Sequence, residues 1–525
     1  MIEAMIHWNF LDLIQNGYVI PANELILSLL ATPAIAAVLI TLVRNKRAAE
    51  VVTLASASLV LVQTLILVAD ILSEKQISAF GNLFYLDALG AIIMLPISGV
   101  GFVAAFYSIN YIGRQYGRGI VDDRHLIRYY QLFNAFVFTM LLVPVSNNMG
   151  LMWVALEATT LVSVLLIMLY TNAGAIEAAW KYLVIATVGL SLALFGIVLF
   201  SYANVASLLS SSGSGTAPNL NWTDMVANAK LLNPDIVKFA FIFILIGFGT
   251  KAGLAPMHSW LPDAHSEAPT PVSALLSGVL LNCSIYAILR FDIITSGALG
   301  SAFSSLLLLI LGTVSMGIAA ASIYFAKDMK RMLAYHSVEH MGIITIGIGF
   351  GGFLGLFGAL FHIINHSIAK PLMFFASGTI SQKYETKAMS EIKGIIKTMP
   401  VTGVLFLIGG FALVGIPPFN IFASEFLILT SGFASGQFLA VALFLIFSII
   451  IFAGLTKHLI PMVFGHPGDS KRKPPAEVFG KKNEMGLFAV VPMAILAIFL
   501  IVLGFYILQP LQTLILDAIQ VFSQG

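Results

Sequence analysis

Lysines inside apolar stretches of membrane length are the first candidates for chemistry in this chain; they are Lys181, Lys251, Lys370 and Lys457. On insertion scales a charge at the centre of a membrane helix costs about 2.5 to 3.5 kcal/mol, so such residues usually mark ion pathways. Lys251 also lies beside a Gly/Pro interruption, GTKAGLAP. Irregular backbone in a membrane is tolerated only where protein or water satisfies it. A break together with a lysine indicates an ion path.

Glu157 is our candidate partner for Lys251. It lies about ten residues into another apolar stretch, which has no basic residue of its own. Moving one group relative to the other would load or release a proton; the alternative is a protonated, hydrogen-bonded glutamate that only packs. Lys251 could instead extend to the membrane edge as an anchor. Lys181 follows Glu177 by four residues, which suits either an intrahelical ion pair or a part in proton input.

A row of proton carriers is predicted in FHIINHSIAKPL. His362, His366 and Lys370 are spaced i, i+4, i+8 and therefore share one helix face, with a drift of about 40° per step. Imidazole titrates near neutral pH, so this face is expected to carry protons between the two halves of the chain. Zinc binding and structural hydrogen bonding are the alternatives, although no Asp, Glu or Cys follows on that face to complete a metal site.

Two further sets of residues would connect this row to the membrane surfaces. Glu425 follows a second Gly/Pro break, GIPPFN, and is predicted to be the terminal proton donor or acceptor; a glutamate favoured by the helix dipole is the alternative. His336, Glu339 and His340 are candidates for proton entry from the cytoplasm, with capping and solvation at a loop edge as the alternative. Their order, H-x-x-E-H, also matches an inverted zinc-protease motif, but the apolar context argues against it. No metal site is predicted.

The composition defines the class of protein that must position these groups. Of the 525 residues, 59% are hydrophobic and 10% charged, and the mean hydropathy is +0.95. Continuous apolar runs of roughly 20 residues predict an all-α, multi-pass membrane protein of about 14 transmembrane helices and exclude an outer-membrane barrel. The single cysteine, Cys283, excludes an intrachain disulfide and a cysteine-ligated metal cluster. We therefore expect no cofactor and no redox active site within this chain.

Basic residues divide the loops into two sets. The predicted spans are 22–43, 50–73, 84–112, 130–146, 148–170, 177–202, 236–258, 271–291, 300–326, 331–350, 353–379, 400–430, 435–464 and 486–508. Odd-numbered loops hold 19 of the 27 Lys and Arg residues and even-numbered loops hold 4. The positive-inside rule then places the odd loops in the cytoplasm and both termini outside.

Four segments follow from these spans. Helices 1–3 occupy residues 1–129, two five-helix units occupy 130–291 and 300–464, and a cytoplasmic loop with a C-terminal helix occupies 465–525. Each Gly/Pro break falls in the fourth helix of its unit. Matching broken helices are typical of inverted repeats around an ion site near the membrane midplane. The first twenty residues are expected to lie at the interface without a cleaved signal, and the Ser/Gly-rich stretch 207–230 to be an external linker.

Taken together, these motifs resemble the antiporter-like, proton-translocating subunits of respiratory complex I, cation/proton antiporters and membrane-bound hydrogenases. DAHSEAPTPVSALLSGVLLN and SVEHMG are most similar to the hydrogenase-4 component F type. The resemblance implies fourteen helices with two inverted repeats, and Glu157 with Lys251 as a modulating pair. It also implies a central relay on the helix of His362 and Lys370, with Glu425 as the distal residue.

The resemblance also implies partners. They are other membrane subunits and a peripheral redox module, such as a nickel–iron hydrogenase or a quinone reductase, in the prokaryotic cytoplasmic membrane; no nucleic acid is expected. The chain would be the translocase subunit of an oxidoreductase complex, moving H+ or, alternatively, Na+. A multi-subunit cation/proton antiporter or a proton-driven inorganic-carbon uptake complex is the alternative function. The chain departs from its relatives at Ser277, where complex I subunits often have a basic residue or histidine, and at His336, where many have serine.

Overall fold

The computed structural model describes residues 22–212, 220–466, 484 and 486–523, and most of them are α-helical. The α-helices of these residues are, in order, α1 (Ala22–Val43), α2 (Lys46–Glu74), α3 (Ala88–Gly117), α4 (Asp123–Val145), α5 (Met149–Ile167), α6 (Ala173–Ser212), α7 (Trp222–Ala227), α8 (Pro234–Ala252), α9 (Leu261–Glu267), α10 (Thr270–Leu275), α11 (Leu281–Leu299), α12 (Ala302–Phe325), α13 (Met329–Phe350), α14 (Gly352–Tyr384), α15 (Ile395–Thr398), α16 (Pro400–Leu413), α17 (Asn420–Ala434), α18 (Phe438–Phe464), α19 (Leu487–Phe505) and α20 (Gln509–Phe522). A two-stranded antiparallel hairpin, β1 (Gln76–Ala79) and β2 (Phe84–Asp87), joins α2 to α3.

Twelve helical stretches of the described residues are long and apolar enough to cross a membrane. Each overlaps one of the fourteen predicted spans. The predicted span 331–350 coincides with α13, whose polar side chains lower its hydropathy. The predicted span 400–430 coincides with the two shorter apolar helices α16 and α17. The prediction of an all-α, multi-pass membrane protein is confirmed. The exact number of crossings, the segment boundaries and the inverted repeats stay predictions.

Both helix breaks lie where the Gly/Pro motifs predict them. Helix α8 ends at Ala252, and Gly253 follows with a φ of +76°; its N–H bonds back to the carbonyls of the last turn. Helix α16 ends at Leu413, and Gly415 follows with a φ of +65° before α17 begins. Glycine adopts this left-handed conformation without steric cost, which explains why each helix stops there.

Two contacts join loops that the predicted alternation assigns to the same side of the membrane. Lys387 Nζ lies 3.1 Å from Glu267 Oε1, which joins two loops predicted to be cytoplasmic. At the other end, Asn148 and Asn221 form a backbone bridge between two loops predicted to be external. Which end faces the cytoplasm stays a prediction. Some predictions fall outside the described residues: the interfacial segment 1–20, residues 213–219 of the external linker, and the basic residues Lys471, Arg472, Lys473, Lys481 and Lys482.

Helix α14 lies at the centre of the second half of the chain. It packs against α3, α13, α16, α17 and α19, and most of its residues are buried. Its neighbour α13 also packs closely on α12, where a Cβ added at Gly312 would lie 2.8 Å from the carbonyl oxygen of Gly342. Small residues of this kind let membrane helices approach closely. The buried face of α14 is therefore enclosed by neighbouring helices.

Two elements escape a search for long apolar runs. The hairpin is short, and α20 is amphipathic rather than apolar throughout; α20 packs against α3. Lys75, beside the hairpin, forms an ion pair with Asp517 of α20 at 2.9 Å. An amphipathic helix buries its apolar face against the protein and keeps its polar face exposed. Because the two faces average out, a hydropathy window of membrane length does not detect such a helix.

Candidate functional site

Lys251 is fully buried in the last turn of α8. Its Nζ donates hydrogen bonds to Thr160 Oγ1 at 2.6 Å and to Tyr182 OH at 2.5 Å, and Tyr182 OH lies 3.0 Å from Ser163 Oγ. The Nζ also lies 4.8 Å from the centre of the Tyr182 ring. Hydroxyl groups accept from an ammonium and donate to an amine, so this setting suits both protonation states of the lysine.

Glu157 does not contact Lys251 directly. Its Oε1 accepts a hydrogen bond from Thr187 Oγ1 of α6 at 3.1 Å, and its buried Oε2 has no partner among the described residues. Residues three apart on a helix share a face, so Thr160 follows Glu157 on α5 and occupies the position next to Lys251. Lys251 thus contacts Thr160, which lies one turn along α5 from Glu157, and not Glu157 itself.

Lys181 lies at a surface, where its side chain is about half exposed. Its Nζ contacts Glu177 Oε1 at 2.6 Å and Asp263 Oδ2 at 3.3 Å. These three residues, with Glu267 and others, line an open polar cleft of about 460 Å³. Arg331 contributes a second contact to Asp263. The intrahelical pair expected from the spacing is present, and it forms part of a larger charged cluster at the cleft.

His362, His366 and Lys370 are all fully buried on one face of α14, as their spacing predicts. The Lys370 Nζ donates to the Leu333 carbonyl of α13 at 2.6 Å. The His366 Nε2 donates to the Ser277 carbonyl at 3.0 Å, and its buried Nδ1 has no partner in the described part of the chain. Lys370 and His366 thus contact two different neighbouring elements.

A loop-edge position for His336, Glu339 and His340 is wrong. Helix α13 begins at Met329, which places His336 two turns inside, and all three side chains are buried. The His336 Nδ1 lies 2.6 Å from Glu339 Oε2, and the His340 Nδ1 lies 2.8 Å from His362 Nε2. The His340 ring is also 5.1 Å from the His366 ring. His340 therefore lies between His362 and His366. With His340 included, the row occupies two helices, α13 and α14, instead of one.

Ser277 belongs to a π-helical turn, Leu276–Leu280, between α10 and α11. The turn presents the Ser277 carbonyl to His366, and the Ser277 hydroxyl lies 2.7 Å from Ser337 Oγ of α13. Single π turns are rare and recur at functional sites because they leave backbone groups free for other contacts. Ser277 thus contacts the row through its backbone carbonyl, and α13 through its hydroxyl.

Glu425 lies in the second turn of α17, beyond the first turn on which a helix dipole acts most strongly. Its carboxylate packs against Gly415 at the break, where a Cβ on residue 415 would displace it. The preceding residue, Ser424, receives a contact from His362 Nδ1 at 2.9 Å and a hydrogen bond from Asn365 Nδ2 at 3.1 Å. Among the described residues Glu425 has no ion-pair partner. The contacts of the row end at Ser424, the residue before Glu425.

Two basic residues that the loop count assigned to surfaces are buried. Arg290, within α11, makes two hydrogen bonds of 2.7 Å to the carboxylate of Asp87, and its guanidinium lies 4.2 Å from the Trp222 ring. Lys330, at the start of α13, donates to the Ala268 carbonyl at 2.9 Å. The sequence did not indicate the partner of Arg290 or of Lys330, because Asp87 and Ala268 lie far from them along the chain. The Asp87–Arg290 pair joins the hairpin before α3 to α11.

The two facing imidazoles are hydrogen-bonded to each other. A metal ion between His340 Nδ1 and His362 Nε2 would need about 2.0 Å to each nitrogen, and the 2.8 Å separation leaves no room for it. In the described part of the chain no group of three or more His, Cys, Asp or Glu side chains is arranged around a common metal position. The arrangement instead suits the transfer of protons along hydrogen bonds.

A multi-pass helical protein with two broken helices and buried histidines, lysines and carboxylates between them has the features of an ion-translocating membrane subunit. The sequence pattern of the NADH:quinone oxidoreductase/Mrp antiporter transmembrane family matches residues 146–451. The chain belongs to this family, and the resemblance stated above is confirmed.

Individual relatives agree with the assignment. The chain is 41% identical to the hydrogenase-4 component F homolog of Methylacidiphilum infernorum over 391 residues, which cover 74% of this chain and 81% of that protein. It is 29% identical to NADH-quinone oxidoreductase subunit N of Desulforudis audaxviator over 80% of this chain and 81% of the relative. A chain of the membrane-bound sulfane sulfur reductase, an archaeal respiratory membrane complex, superposes with a TM-score of 0.80 at 25% identity, covering 95% and 97% of the two chains.

Proposed function

We propose that this chain moves protons across a prokaryotic cytoplasmic membrane as a subunit of a redox-driven complex. The observation that carries the proposal is the buried line His340, His362 and Ser424, which crosses three helices at separations of 2.8 and 2.9 Å and ends beside Glu425. Proton transfer between side chains requires such hydrogen-bond distances. Buried titratable groups in a membrane are costly, and a purely structural role does not explain a continuous series of them.

The first half of the path is proposed to centre on Lys251. Thr160, Tyr182 and Ser163 give it a chain of hydroxyls towards α5 and α6, and Glu157 lies one turn away on α5. A change in the position of Glu157 alters the electrostatic potential at Lys251 and so favours one of its protonation states. In this proposal Glu157 acts on Lys251 through space, without a direct ion pair.

The second half is proposed to run along the row to Glu425. Lys370, His366 and His340 receive protons on the buried side of α13 and α14, and His336 with Glu339 lies on the same helix as His340. His362 passes protons towards Ser424, and Glu425 releases them at the second break. In the predicted topology the odd-numbered loops lie in the cytoplasm and both chain termini lie outside. With that topology, Glu425 is proposed to release protons on the outer side.

The energy source is proposed to be a partner that carries out electron transfer. The hydrogenase-4 and NADH-quinone oxidoreductase relatives favour other membrane subunits and a peripheral redox module. A multi-subunit cation/proton antiporter is the second candidate, because the family description also includes Mrp antiporters. The same proton path would then be coupled to a cation such as Na+.

Co-purification from gently solubilised membranes, followed by mass spectrometry, separates these candidates. A hydrogenase or dehydrogenase module in the preparation supports the redox-driven complex, whereas membrane subunits alone favour the antiporter. The purified assembly is then placed in liposomes under a potassium diffusion potential, and proton uptake is followed with trapped pyranine. Lys370→Met and Glu425→Gln are expected to abolish uptake; Lys397→Met, which changes a lysine of a predicted cytoplasmic loop, is the control. Full uptake in both variants would overturn the proposed path.

A further inference from the structure

His265 is a buried histidine that the path described above does not use. It lies in the short helix α9, directly after the first break, and is fully buried. Neither ring nitrogen has a hydrogen-bond partner among the described residues. Buried polar groups in proteins are nearly always paired, so an imidazole with two unpaired nitrogens needs an explanation.

One side of α9 forms a wall of the polar cleft. Asp263, Ser266 and Glu267 line the cleft together with Lys181. Successive residues of a helix are rotated by about 100°, so these three side chains share one side of α9 while His265 projects from the opposite side. A single helical turn thus separates an open, acidic cleft from a buried imidazole.

The inner side of His265 faces the central row. Its ring stacks on Phe374 of α14, with 5.5 Å between ring centres, one turn beyond Lys370. His265 interacts electrostatically with Lys370, with Lys330 and with His366. The two lysines are themselves held by backbone carbonyls, Lys370 by Leu333 and Lys330 by Ala268. Lys370 and Lys330 therefore act on the imidazole from the inside, while the carboxylates of α9 line the cleft on the other side of the helix.

We propose that His265 is the proton-entry relay that connects the cleft to Lys370. One ring nitrogen takes a proton from water or from a carboxylic acid of the cleft, and the other nitrogen gives a proton to the unprotonated amine of Lys370. Neither nitrogen is within hydrogen-bond distance of these side chains, so each transfer runs through an intervening water. The inference rests on the proposed proton path and adds its entrance. The bond that holds this turn uses the His265 backbone carbonyl, which accepts from Ser273 Oγ at 2.9 Å.

His265→Gln in the full co-purified assembly tests the proposal. Gln fills a similar space and is polar, but it cannot carry a proton, so proton uptake into liposomes should fall about tenfold or more. Imidazole added to the medium should restore a large part of the loss, because a diffusible base replaces the missing relay. His125→Gln is the matched control: His125 is also on the predicted cytoplasmic side but is partly exposed and contacts Asp122 at the start of α4.

Three outcomes overturn the proposal. The first is an unchanged rate of proton uptake in His265→Gln, and the second is a loss of uptake that imidazole does not restore. The third applies if His265→Gln fails to assemble: it is an unchanged rate of uptake in the double variant Asp263→Asn, Glu267→Gln. The Lys370→Met variant, measured in parallel, distinguishes a failure of the proposed entrance from a failure of the whole proposed path. If Lys370→Met abolishes uptake while His265→Gln is unaffected, the path stands and only its entrance is wrong; if Lys370→Met retains full uptake, the proposed function fails as well.

Discussion

His340 and His362 share one hydrogen between two ring nitrogens 2.8 Å apart. Since only one nitrogen carries that hydrogen, the tautomer of one neutral ring determines the tautomer of the other. The second nitrogen of His362 in turn contacts Ser424, so the three groups change their hydrogen positions together. Such a coupled line across three helices passes a proton only if every member is present.

The first prediction concerns His362. In His362→Gln the amide can still hydrogen-bond to Ser424 but cannot accept and release a proton, so proton uptake by the reconstituted assembly should fall about tenfold or more. His458→Gln is the comparison, because that partly exposed residue of α18 lies outside the line and contacts the Tyr324 carbonyl. Equal uptake in the two variants would contradict the coupled line.

The second prediction concerns Lys251. Lys251→Met has a similar length but no proton to exchange, so uptake should be lost while the assembly stays intact. Lys251→Arg should not restore uptake, because a guanidinium does not deprotonate in proteins. Lys238→Met, which removes an exposed lysine from the same helix, is the control. Uptake measured with trapped pyranine, together with size-exclusion chromatography, distinguishes lost transport from lost assembly.

The third prediction concerns the Asp87–Arg290 pair, whose side chains are only 2% and 4% exposed. Asp87→Ala leaves a buried guanidinium without its counter-ion and should cost about 3–5 kcal/mol of stability. The double variant Asp87→Ala, Arg290→Met should lose less than Asp87→Ala alone. Asp517→Ala breaks the more exposed pair with Lys75 and should cost about 0–1 kcal/mol. Thermal unfolding in detergent measures all of these; a destabilisation no larger than that of Asp517→Ala would rule out a structural role for the pair.

The fourth prediction concerns orientation in the membrane. Ser435, between α17 and α18, is exposed in a loop predicted to be external, whereas Ser390, between α14 and α15, is exposed in a loop predicted to be cytoplasmic. A membrane-impermeant maleimide applied to whole cells should label Ser435→Cys at once and Ser390→Cys only after permeabilisation. The native Cys283 is buried and gives little background. The reverse pattern would show that the termini are cytoplasmic.

Much of this molecule follows from its sequence because a membrane imposes strong constraints on single segments. A helix must hydrogen-bond its own backbone and present apolar side chains to lipid, so its existence can be predicted from local sequence. The breaks follow from Gly253 and Gly415, whose left-handed conformations favour glycine. The row His362, His366 and Lys370 follows from helical periodicity alone, and all three are buried as that periodicity predicts.

Contacts between helices were decided only by the tertiary structure. Nothing in the spacing of α13 indicates that His340 lies against His362, or that Thr160 rather than Glu157 contacts Lys251. Positive charge counts placed Arg290 and Lys330 at surfaces, yet long-range partners bury both. The physical reason is that periodicity fixes which face of a helix is buried, whereas the identity of the group opposite depends on how residues far apart in the chain are packed together.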